Sequence, residues 1–236
     1  MDFLNDFRWD IIWNYRELFL QGIWITIVLT ICGYIGGIIL GVFLGLGKTS
    51  KKKWIIWPCK IYVDLLRGTP LLVQILIIHF ALIPSIFGHS LGVMFSGIAA
   101  LVLNSAAYNA EIFRAGIESI DKGQTEAARS LGLTHAQAMR KVILPQAFRR
   151  MVPPLGNEFI ALLKDSSLVM VIAVNDILYA AKVIAGSYQR FWEPYLTAAV
   201  LYLVLTFVVT KIVAYVEKRF SIDYNPRKNK EGRAVR

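Results

Sequence analysis

A chain of 236 residues that is 56% hydrophobic and only 18% charged is too apolar for an ordinary soluble domain. Its formal charge of +10 would suit a nucleic-acid binder if the basic residues formed a patch, but they flank long apolar runs instead. That placement points to an all-α polytopic membrane protein with its positive charge on cytoplasmic loops.

Residues 1–17 are short, mixed and aromatic, with Phe3, Phe7, Trp9, Trp13 and Tyr15 suited to a bilayer interface. The opening MDFLNDFRWD carries acids where a secretory signal would carry bases, so the first apolar run is expected to remain as a span. Leu18 to Gly47 holds no charged residue, and span 1 falls near 20–46. Gly33, Gly37, Gly41 and Gly45 lie four apart on one helix face. Two readings stand: a stripe that admits a second helix at close range, or the general abundance of glycine in membrane helices. The following GLGKTSKKK is no phosphate-binding loop, because Val42 stands where the motif needs its first glycine. Lys48, Lys51, Lys52 and Lys53 mark the cytoplasmic end, which puts the N-terminus outside.

Span 2 is expected near 62–84, with Asp64 and Arg67 spaced to pair on a helix and Gly68 and Pro70 allowing a bend or break. Span 3, near 95–117, is studded with Asn104, Ser105, Tyr108, Asn109, Glu111 and Arg114. Polar groups in a span are costly and face protein or water. Glu111 and Arg114 are spaced to pair; equally, Asn104, Tyr108 and Glu111 share a face that would line a solute path.

The stretch 121–145, DKGQTEAARSLGLTHAQAMRKVILP, is polar and basic yet lies between two spans. Asp121 with Gln124 begins one helix, Gly132 ends it, and Thr134 with Gln137 begins a second that Pro145 limits or kinks. Span 4 is expected near 151–173, with Pro153, Pro154 and Gly156 making its start irregular and Glu158, Lys164 and Asp165 facing inward. Asn175 to Tyr195 reads as an outer amphipathic segment, 196–216 as span 5, and the basic tail 221–236 as cytoplasmic. Five spans, N-terminus out and C-terminus in, agree with the loop charges.

Local chemistry is sparse. His79, His89 and His135 are scattered, Cys32 and Cys59 form no metal or disulfide pattern, and no nucleophile setting appears, so no metal site, cofactor or enzyme activity is expected on this chain. The hairpin has some character of a DNA-reading helix-turn-helix, but flanking spans set that reading aside, and no nucleic-acid partner is expected.

The hairpin resembles the transmembrane permease subunits of ATP-binding cassette importers. Their motif is EAA, three residues, Gly, nine residues, then Ile-x-Leu-Pro; here it is Glu126, Ala127, Ala128, Gly132, then Val142 in the Ile position before Leu144 and Pro145. RGTPLLVQ, AAYNAEIFRAGI and GNEFIALLKDSSL are similar to the polar amino acid uptake branch, the histidine, glutamine and arginine type, with Ala115 and Ser166 as departures from Gly and Thr. The resemblance implies that the hairpin is a coupling element seated on a separate ATPase subunit, which would hold the ATP and magnesium. It implies a second permease chain, identical or not, and an extracellular solute-binding protein that delivers an amino acid. For that zwitterion, Glu111, Glu158 and Asp165 are candidates to meet the ammonium, and Lys164, Asn104 and Asn157 the carboxylate. The acidic excess leans towards a basic amino acid. The alternative is a stand-alone channel or ion-coupled carrier, which would need no such hairpin.

Overall fold

The computed structural model describes residues 7–50 and 52–220, so Phe3, Lys51 and the tail 221–236 lie outside the described residues. Among those described there is no strand. The helices are α1 (Trp9–Asn14), α2 (Arg16–Lys48), α3 (Lys53–Gly68), α4 (Leu71–Phe87), α5 (Val93–Glu118), α6 (Lys122–Ser130), α7 (His135–Ile172), α8 (Ile177–Tyr188) and α9 (Trp192–Phe220). Three of them, α2, α5 and α9, are long and apolar enough to cross a membrane, and the number is five if each bent pair, α3 with α4 and α7 with α8, forms one span. At about 1.5 Å per residue, the 33 residues of α2 more than cover a hydrocarbon core.

The glycine stripe makes the central contact. Cβ atoms built at Gly33, Gly37, Gly41 and Gly45 would lie 2.9, 2.7, 2.6 and 2.9 Å from the Cβ atoms of Leu101, Ser105, Asn109 and Phe113. The two series rise together by fours, so α2 and α5 run parallel with their backbones nearly touching. Close approach, rather than composition alone, is what these glycines provide. Around this seam Leu29, Ile75, Leu101, Leu162 and Val169 form the main apolar core.

Span 2 differs from its expected course. A bend of 110° separates α3 from α4, so 62–84 is not one straight helix. Thr69 and Pro70 are extended, as a proline requires of itself and the residue before it. The break leaves carbonyls at the end of α3 without helical donors. The Gln74 amide donates to the carbonyls of Leu66 (2.7 Å) and Thr69 (3.0 Å), and its own oxygen accepts from Asn104 Nδ2 at 2.9 Å. Gln74→Leu would orphan these groups at about 1–3 kcal/mol each. The thermal midpoint of the purified protein, followed by circular dichroism, is expected to fall by several degrees; an unchanged midpoint would show that the break needs no amide.

Two of the helix prolines, Pro84 and Pro145, follow a local widening of the helix. A π-turn at Ile78–Leu82 precedes Pro84, and a second at Met139–Ile143 precedes Pro145. Each loosens the helix just where a proline lacks a donor and crowds the preceding turn. Pro145 therefore neither ends nor breaks α7. Pro153 and Pro154, expected to make the start of span 4 irregular, do not interrupt the helix, which is continuous from Leu144 to Asp165.

The stretch 175–195 packs one face inward and leaves the other exposed, with Lys182, Val183, Gly186 and Ser187 outside. Within α8 Ile177, Ala180, Ala181, Ile184 and Ala185 are buried, and the helix continues α7 at a 45° bend. Ala173 takes the left-handed conformation at φ 62°. Asp176, fully buried, caps α8 by accepting from the Leu178 and Tyr179 amides at 3.2 and 2.9 Å and from the Tyr202 hydroxyl at 2.8 Å. Small alanines let α8 fit against α2 and α9, so the apolar face of the amphipathic pattern packs inside the bundle. The described part of the N-terminal segment is two-faced: Ile11 is buried while Trp9 and Trp13 are exposed.

Candidate functional site

The hairpin closes by local rules. Asp121 Oδ1 accepts from the Gly123 amide at 2.7 Å. At the turn, Gly132 sits at φ 81°, a conformation that favours glycine. The Leu133 amide donates to the Ala128 carbonyl at 3.2 Å and the Gly132 amide to the Arg129 carbonyl at 3.0 Å, the pairing that ends a helix on a left-handed glycine. Thr134 and Gln137 exchange both bonds of a capping box, at 2.8 and 3.3 Å. Ile120, Ile143, Ala147, Met151 and Leu155 pin the hairpin to the ends of α5 and α7.

The motif residues divide between two faces. Glu126, Ala127 and Gly132 are exposed, as are Leu144 and Pro145. Ala128 is buried, so its small side chain serves closure of the hairpin on itself and not approach by another surface. Sequence reasoning missed Leu131. It stands 83% exposed at the tip, among Glu126, Arg129 and Gly132. A leucine immediately before a helix-ending glycine was the available signal.

The polar span residues also divide. Tyr108 and Glu111 line an open groove of about 440 Å³ together with Arg67, Arg150, Gly116 and Pro154. Asn104 is not in it; that side chain is buried on Gln74. Glu158 is half-buried and accepts from the Ser105 hydroxyl at 3.3 Å, while Asn109 Nδ2 donates to the same Ser105 oxygen at 3.0 Å. Asn157, Lys164 and Asp165 are exposed on α7.

Glu111 is a hub. Its carboxylate takes the Lys48 ammonium on one oxygen and the Arg114 guanidinium on the other at 2.7 and 3.0 Å, with Arg67 at 3.9 Å. Arg114 also pairs with Glu118. The inner ends of α2, α3 and α5 thus meet on one side chain. The expected partnership of Asp64 with Arg67 is replaced: Arg67 turns to Glu111 and lies over the Tyr108 ring, 5.3 Å from its centroid. The spacing that placed Asp64 beside Arg67 on one helix carried no information about Glu111, 44 residues on.

A helical bundle of bent spans with a capped polar hairpin and a polar groove behind it is the architecture of a membrane translocation subunit. The chain belongs to the family of binding-protein-dependent transport system inner membrane components, which matches residues 37–222. It is 40% identical over 200 residues to the arginine transport system permease protein ArtQ of Bacillus subtilis (strain 168), covering 85% of this chain and 91% of that one. It is 36% identical over 218 residues to the glutamine transport system permease protein GlnP of Escherichia coli (strain K12), covering 92% and 99%. Among solved structures, an amino acid ABC transporter crystallised with histidines matches with TM-score 0.83 and 42% identity over 93% of this chain and 99% of that one. The MetNI methionine transporter, at 21% identity and TM-score 0.72, shares the fold. The chain is accordingly a multi-pass membrane translocation subunit and not an enzyme; in these systems the ATPase is a separate chain.

Proposed function

We propose that this chain is a permease subunit of an ATP-driven importer for a polar amino acid, working as one of two permease chains between an extracellular binding protein and a pair of cytoplasmic ATPases. The observation that carries the reading is the hairpin: the Glu126–Pro145 motif folds into a rigid, doubly capped element whose exposed edge holds Glu126, Ala127 and Leu131. An edge of this kind suits a groove on another protein, and its anchoring through Met151 and Leu155 would carry motion into the spans. ATP and magnesium would reside on the partner. The N-terminus would lie outside and the tail inside, as the lysines after α2 and the bases of the hairpin favour.

The relatives named above transport arginine and glutamine, and the polar groove fits a zwitterion of that size. Glu158 and Asp165 would meet an ammonium or a basic side chain, with Tyr108, Asn157 and Lys164 along the path. Asn104 would act indirectly, by holding Gln74. Vesicles carrying the full complex, offered the twenty amino acids in turn, should take up one or a few of them only with ATP and binding protein present. Uptake by this chain alone would instead establish a channel or carrier.

A further inference from the structure

We propose that Arg67 takes the carboxylate of the solute in the groove beside Tyr108, and that Glu111 is the positioning residue that holds it there; this deepens the permease reading and rests on it. Three cations, Lys48, Arg67 and Arg114, share the ion pairs of two carboxylates, Glu111 and Glu118, so the cluster itself holds one positive charge in excess; Glu158 is the next carboxylate that Arg67 acts on. The excess charge falls on Arg67. Lys48 and Arg114 make the close contacts with Glu111, whereas Arg67 stays at 3.9 Å and 44% exposed. A charged side chain along a span is costly unless it meets a partner or water. An unsaturated guanidinium facing a cavity is therefore an anion site in waiting.

The geometry suits a carboxylate. The Arg67 guanidinium lies over the Tyr108 ring, 5.3 Å from its centroid, with Nη1 towards Glu111 at 3.9 Å, beyond hydrogen-bond distance. The N–H edges of a guanidinium form the fork that matches two carboxylate oxygens. The groove, about 440 Å³, has small walls at Gly116 and Ala115. Every α-amino acid presents the same carboxylate, so one fixed cation would serve any side chain the rest of the path selects. Arg150 lines the same groove but is engaged with the Ser119 carbonyl. Glu111, itself held from two sides, keeps Arg67 from turning away to solvent.

The test uses the complete transporter in nanodiscs, and as probe the amino acid that vesicle uptake selects, set against its carboxamide. The wild-type complex should bind the acid about tenfold or more tightly than the amide. Arg67→Gln, with assembly of the complex checked by size exclusion, should bring the two within about twofold of each other. Arg67→Lys, which keeps charge without the fork, should fall between. Glu111→Gln should raise KM for uptake with little change in its maximum rate, and Glu111→Asp should restore it; a merely structural role would lower the maximum rate and leave the acid-to-amide ratio alone. An unchanged ratio in Arg67→Gln, or no preference in a wild-type complex that transports, overturns the assignment. No ATP-driven uptake by the wild type would instead overturn the permease reading, and this one with it.

Discussion

Leu131→Glu is expected to reduce ATP-driven uptake in vesicles to the background of empty vesicles, with helix content and membrane insertion unchanged. Leu131 contacts little within the chain, being 83% exposed at the hairpin tip, so its loss costs the fold almost nothing. What singles Leu131 out among the exposed apolar residues is its position, at the tip of the polar hairpin between Glu126 and the helix-ending Gly132, where the permease reading seats a partner. Truncating an interface anchor removes about 2 kcal/mol or more, roughly a thirtyfold loss in docking affinity, and placing a charge there costs further desolvation. The measurement has two arms: uptake per milligram of reconstituted complex, and co-purification of the ATPase subunit with the permease. Both should fall for Leu131→Glu, and both should hold for Leu131→Met, which keeps the apolar volume. Uptake within twofold of wild type in Leu131→Glu would remove the hairpin tip from the contact.

The hairpin was legible because its signals are local. Asp121, Gly132, Thr134 and Gln137 each act on backbone groups two to four residues away, and the structure forms their bonds. The glycine stripe was legible as a face, since four-residue spacing fixes the side of a helix without naming its partner. What the sequence could not disclose were pairings between distant segments. Arg67 had Asp64 within reach on its own helix, yet it lies over the Tyr108 ring with Glu111 3.9 Å away. Gln74 looked like one more residue of a span until the break at Thr69 left carbonyls that needed it. Asn104 reads as part of a solute path for the same reason: a polar side chain in a span looks alike whether it faces a cavity or a neighbouring amide. Ala128 illustrates the limit at one residue, where a motif position told that the side chain is small but not which surface required it.

Gly41→Val is expected to cut the yield of folded protein sharply and to lower the melting midpoint of what remains, whereas Gly186→Ala should be neutral or mildly stabilising. A Cβ at position 41 would stand 2.6 Å from the Asn109 Cβ and 3.0 Å from the Ala106 carbonyl oxygen. These are parts of the α5 backbone frame and cannot rotate aside, so α2 and α5 would have to separate along the whole seam. Overpacking of a well-filled core costs about 1–3 kcal/mol when side chains can yield, and more when backbones must part. The neighbours at Gly33, Gly37 and Gly45 would lose contact together, since all four share one register. At Gly186, in the last turn of α8, nothing lies within 4 Å of the added carbon, so alanine brings only its better helix propensity, about 1 kcal/mol. Size-exclusion profiles of detergent-solubilised protein after stepwise heating would place both variants against wild type. If Gly41→Val and Gly186→Ala melted alike, the stripe would be a matter of composition; the spread expected between them is the measure of how far the fold depends on two parallel helices meeting without side chains between them.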